Sequence, residues 1–144
     1  TIHSAVASQK FPLVVATKFY NAENSPFRKH LNWHRLAEEE DTRLDAIVSE
    51  NADVIVDKTT YGAVDRLDSI MQSRGLNEVL IMGIDTDVCV LQNAAGLFDL
   101  GYKVWVDLSG CATNTGPRGD NAAFDIFRRT IGEYQIITGY SYLD

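Results

Sequence analysis

Five runs of five to seven residues are apolar at nearly every position instead of every second one. They are Pro12–Lys18, Asp53–Asp57, Glu78–Gly83, Lys103–Asp107 and Tyr134–Thr138. Continuous short runs of this kind are strands covered on both faces; a half-exposed sheet would alternate. Between the later runs the period changes. Ala63–Ser73 places Val64, Leu67, Ile70 and Met71 three and four apart, and Gly75 closes the stretch. Val88–Leu100 repeats the pattern with Val88, Leu91, Ala95 and Phe98, followed by Gly101. Pro117 suits the first turn of a third helix, whose stripe is Ala123, Ile126, Phe127 and Ile131.

Strand alternating with helix, three times over, predicts βαβ units with right-handed crossovers. The fold class expected is therefore α/β, a three-layer domain with a mostly parallel sheet and helices on both faces. A chain of 144 residues holds one such domain, spanning 1–144. Asn21–Glu50 is polar and weakly periodic, with Pro26 and the acidic run Glu38–Asp41. It reads as a long loop with one or two helical turns, of the kind that walls a functional site.

Composition removes several classes of function. Thirteen basic against 20 acidic residues give a net charge of −7 with no basic tract, which argues against a nucleic-acid partner. Apolar runs such as that around Leu80 are too short to cross a bilayer, so no membrane partner is expected. Two cysteines without CxxC spacing do not make a disulfide framework, and no secretory signal pattern is present. These features predict a cytoplasmic protein with a small-molecule substrate. The sequence begins at Thr1, so its start is expected to be processed or to lie within a longer chain.

In an open parallel sheet, ligands bind beyond the carboxyl ends of the strands. There the sequence places Lys18 and Phe19, then Asp57 and Lys58, then Gly83 through Cys89, then Asp107 and Cys111. A lysine and a cysteine on one rim have a mechanism. A thiol attacks as the thiolate, which unpaired N–H groups at a helix start and a nearby ammonium both favour. Cys89 has both if Lys58 enters the same crevice. On periodicity alone, the better supported reading of Cys89 is a small buried hydrophobe; Cys111 reads as packing. Phe19, Phe27 and Trp33 would wall an apolar pocket. His30 and His34 would share a face if both were helical, but nothing at ligand spacing completes a metal site. There is no glycine-rich phosphate loop. Asp57 should point away from the face that carries Lys58.

The segment Gly83-Ile84-Asp85-Thr86-Asp87-Val88-Cys89-Val90 resembles the nucleophile turn of the isochorismatase-like cysteine hydrolases. That superfamily includes nicotinamidases and N-carbamoylsarcosine amidohydrolases. The likeness continues through Asn93-Ala94-Ala95, Gly101-Tyr102, Val104, Val106, Asp107 and Ala112. Upstream, Val54–Tyr61 is similar to the family's lysine segment and Val14–Phe19 to its second strand. The resemblance implies that Cys89 attacks an amide carbonyl while Lys58 stabilises the thiolate. It implies an oxyanion hole of the Asp85 and Cys89 N–H groups, beside a cis peptide between Ile84 and Asp85 that residue chemistry alone would make trans. Phe19, Trp33 and Tyr61 become candidate substrate-binding residues. No cofactor and no metal are expected, and a homo-oligomer is.

Two departures accompany the likeness. The family's triad aspartate lies on a first strand, whereas this sequence has no Asp or Glu before Glu23 and no room for that strand ahead of Pro12. Nicotinamidases carry an Asp and two His after the second strand, where this chain has Lys18-Phe19-Tyr20-Asn21. The expectation is therefore an impaired amidohydrolase, which a longer chain bearing the aspartate strand would restore. A non-catalytic binding or assembly protein of the same fold and a vinyl-ether hydrolase of isochorismatase type are the alternatives. Without the first strand, Pro12–Lys18 must pair with Glu78–Gly83, or Thr1–Lys10 must fill the space, or edges are left exposed.

Overall fold

Strands form where the apolar runs lie, and each strand pair is parallel. The computed structural model describes residues 1–139. β1 (Val15–Phe19) pairs with β2 (Val54–Lys58), which sets Phe19 beside Lys58 at the carboxyl end. β3 (Glu78–Ile84) pairs with β4 (Lys103–Ala112), and β4 with the two-residue β5 (Ile136–Ile137). Three helices make the crossovers: α5 (Val64–Ser73), α6 (Leu91–Asp99) and α7 (Pro117–Thr130). Gly75 follows α5 at φ +64°, a conformation that side chains resist, and lets Leu76 N–H close onto Met71 C=O.

The main core lies where α6 and α7 meet β4. Ala94, Leu97, Ala123 and Phe127 pack there with Val104 and Val106, all essentially inaccessible. Fully burying a side chain such as Leu97 or Phe127 contributes about 1.5–3 kcal/mol each. This core fixes the start of α6, and with it the turn that carries Cys89.

The sheet is divided. Among the described residues β1 pairs with β2 alone and β3 with β4 alone, so two- and three-stranded sheets stand side by side. Thr1–Lys10 does not fill the space as a strand, because Ile2–Ala7 is helical (α1). β1 and β3 thus each keep an unpaired edge, the third of the outcomes the sequence allowed. Ile84, 70% exposed, lies at the end of one of them.

Asn21–Glu50 holds more helix than its pattern suggests. It folds as α2 (Pro26–Leu31), α3 (Glu39–Thr42) and α4 (Ala46–Asn51). These are too short to show a period, and polar groups at their ends fix two of them. The Ser25 hydroxyl accepts from Arg28 N–H, and the Asp45 carboxylate accepts from Ile47 and Val48 N–H. α2 stops at Leu31, so His30 and His34 do not share a helix face as the spacing suggested. β4 also runs beyond Asp107 to Ala112. Between two paired positions β3 advances from Ile81 to Gly83 while β4 advances from Val106 to Cys111, a wide bulge.

Candidate functional site

Two strand ends and one helix start build the site. β2 alternates, so Val56 and Lys58 are buried while Ile55 and Asp57 face outward. After β3 the chain turns through a cis peptide between Ile84 and Asp85, as the resemblance implied. It then enters a π-helical turn (Thr86–Val90) that continues directly into α6. Cys89 lies on this turn, half-buried. Irregular turns of this kind recur at functional sites because they re-aim one side chain without ending the helix.

Lys58 and Cys89 meet. The ammonium is 8% exposed and donates to the Thr60 carbonyl at 3.1 Å, to the Tyr61 carbonyl, and to Cys89 Sγ at 3.4 Å. All three donors of the lysine are thereby used. Among the described residues no carboxylate pairs with this ammonium or hydrogen-bonds to the sulfur. The Phe19 ring lies 5.6 Å from Nζ, adding its negative face to the lysine's surroundings.

The aromatic candidates gather on the same side. Phe27, 4% exposed, is their hub: its ring centre is 5.2 Å from Phe19, 6.0 Å from Trp33 and 4.7 Å from Tyr61. Edge-to-face pairs at these separations add about 0.5–1.5 kcal/mol each beyond burial, so the wall is rigid. Asn21 holds it in place. Its amide donates to the Trp33 and Arg35 carbonyls at 2.9 and 3.0 Å, and its oxygen accepts from the Ser25 hydroxyl.

Lys18-Phe19-Tyr20-Asn21 offers a buried amide whose oxygen and nitrogen both serve the fold, and this does not fit a metal-binding set. Among the described residues no three His, Cys, Asp or Glu side chains gather to hold a metal ion.

The rest of the turn is fastened to the segment between β4 and α7 and to α7 itself. Asn114 N–H donates to Asp85 Oδ1 at 3.1 Å, the Thr113 and Thr115 hydroxyls donate to Asp87, and Thr86 donates to Asp120. The Thr113 hydroxyl bond, helped by Thr115, holds the Asp87 carboxyl below the ordinary aspartate range. Cys111 is not part of the pair. It pairs with Gly83 just past the bulge of β4, and burial pushes its thiol up to about 11, with the charges of Asp107 and Asp120 acting the same way. Residue patterns gave no role to Asn21, or to Asn93, whose amide touches the Cys89 turn; Ser25 directly before Pro26 is the pattern that could have indicated the cap in this loop.

Comparison with known proteins agrees with this geometry. The family profile of the isochorismatase domain matches residues 3–135. No curated protein matches the sequence. Among solved structures, the nicotinamidase/pyrazinamidase of Bacillus subtilis is similar with a TM-score of 0.78 at 22% identity, covering 94% of this chain and 80% of that one. The N-carbamoylsarcosine amidase of Thermoplasma acidophilum gives 0.78 at 19% identity, with 97% and 80% covered. An isochorismatase-like hydrolase of Alkaliphilus metalliredigens gives 0.76 at 18% identity, with 88% and 69% covered. At these identities the likeness is one of fold.

Proposed function

The chain belongs to the isochorismatase-domain family, and on that premise we propose that it is a cysteine-dependent hydrolase of a small amide or related C–N bond. The observation that supports this is the contact of Lys58 Nζ with Cys89 Sγ at 3.4 Å. Among the described residues this buried ammonium has no carboxylate partner, and the sulfur is the group beside it that can carry a counter-charge. In the proposed reaction the thiolate sulfur of Cys89 bonds to the carbonyl carbon. The oxyanion is held by the N–H groups of Asp85 and Cys89. The C–N bond then breaks, the amine takes its proton from a solvent water, and the hydroxide so formed hydrolyses the resulting thioester to carboxylate and the Cys89 thiol. Phe19, Trp33 and Tyr61 would hold the apolar part of the substrate.

Expulsion of an amine needs a proton donor, and no carboxylate stands by the sulfur among the described residues. General acid–base catalysis typically supplies about 10²–10⁴-fold, so amide turnover by these residues should be slow by that order. A phenolate leaving group needs no such proton. The test is incubation with a p-nitrophenyl ester of a small aromatic acid, followed by mass spectrometry. The expected result is one acyl group on Cys89, absent in Cys89→Ala. Failure to acylate, or acylation at other sites only, would overturn the proposal. That no carboxylate neighbours the sulfur among the described residues also favours a second reading, a non-catalytic protein of this fold, and that failure is the result it predicts.

A further inference from the structure

We infer that Asn93 is a positioning residue that couples the nucleophile turn to the lysine loop; the inference rests on the proposed role of Cys89 and Lys58. Asn93 is 6% exposed and lies in the first turn of α6. Its Nδ2 donates to the Cys89 carbonyl at 2.8 Å, and its Oδ1 accepts from Ala63 N–H at 2.7 Å. Ala63 follows Thr60 and Tyr61, whose carbonyls hold the Lys58 ammonium. The contacts therefore close a ring. It runs from Cys89 Sγ to Lys58 Nζ, along the loop from Tyr61 to Ala63, across the Asn93 amide, and back to the Cys89 carbonyl. Gly62 packs within this ring, where a Cβ would lie 3.8 Å from Asn93 Oδ1.

The ring demands a particular side chain. One group must donate toward Cys89 and accept from Ala63 at the same time, and an amide has separate atoms for the two tasks. A serine can keep the donation to the carbonyl four residues back, but it cannot reach Ala63 as well. An aspartate keeps the acceptor and loses the donor, and it sets a negative charge against the Cys89 carbonyl. Buried polar links with both ends satisfied are the ones that fix geometry.

The experiment is the rate of Cys89 alkylation by iodoacetamide between pH 6 and 9, located by peptide mass mapping in the full chain. It uses the parent, Lys58→Met, Asn93→Ser, Asn93→Asp and the two Asn93 variants combined with Lys58→Met, with circular dichroism to confirm folding. Coupled neighbours depart from additivity, so the effect of Lys58→Met should shrink by about threefold or more in either Asn93 background. Asn93→Asp should also move the pH profile of alkylation to higher pH, which Asn93→Ser should do less. An equal Lys58→Met effect in all backgrounds, with unchanged pH profiles, would overturn the inference. If instead the parent's Cys89 reacts no faster than a cysteine in a short peptide and Lys58→Met changes nothing, the reading of the pair itself fails, and the positioning role goes with it.

Discussion

At the scale of single residues, burying Lys58 carries a cost to folding that the proposed reaction would account for. A buried ammonium whose partners among the described residues are two carbonyls and a sulfur loses solvation, and the sulfur as thiolate is the counter-charge it would gain in return. Lys58→Met keeps the volume and removes the charge. We predict that its melting temperature equals or exceeds that of the parent, while alkylation of Cys89 at neutral pH slows about tenfold or more. The opposite pattern, a large loss of stability with unchanged reactivity, would make Lys58 a structural residue. Cys111 supplies the contrast. With its thiol pushed up to about 11 by burial, it remains protonated through pH 9, so site-resolved labelling should find Cys111 unmodified there in the folded chain and reactive after denaturation. Strand ends put the lysine and the cysteine on one rim in the sequence, but only the family resemblance singled out Cys89 from an ordinary buried hydrophobe. Asn93 had no legible role, since its meaning depends on Ala63, which the fold brings to it across the start of α5.

At the scale of elements, alternation of strand and helix was readable because continuous apolar runs and spacings of three and four are physical signatures of burial. The segment from Asn21 to Asn51 was not readable in the same way. Its helices have four to six residues, and their order comes from caps and one buried amide, Asn21, which leave no period. The bulge of β4 was equally hidden, because Asp107, Ser109 and Gly110 read as the end of the strand, whereas β4 runs on to Ala112. The strap from Thr113 to Thr115 follows this bulge and leads into α7. There Gly119 is closely packed: a Cβ would overlap the Thr115 hydroxyl and crowd Asp87. Gly119→Ala should therefore destabilise the protein by about 1–3 kcal/mol, as overpacking does, despite alanine's better helix propensity. Denaturant unfolding checks this; a stabilised variant would show that the strap yields freely and does not hold the Cys89 turn.

At the scale of the whole molecule, the division into two sheets is the feature that sets the chain's behaviour. β4 has neighbours on both sides, whereas β1 and β3 each lack one among the described residues. Hydrogen exchange should accordingly be slowest in β4 and faster in β1 and β3, whose outward N–H groups have no strand partner. Protection of β1 and β3 equal to that of β4 would mean that the edges are covered. Among the described residues no carboxylate neighbours the sulfur, so on the proposed reading the nucleophile has its counter-charge but no proton donor for an amine. The most direct measurement compares acylation of Cys89 by a p-nitrophenyl ester with hydrolysis of the amide of the same acid by the same 144-residue chain. The account predicts that the ester acylates Cys89 readily while amide turnover lags by about 10²–10⁴-fold beyond the intrinsic difference between the two substrates. Amide turnover without that additional lag, abolished by Cys89→Ala, would contradict it and require another residue to donate the proton.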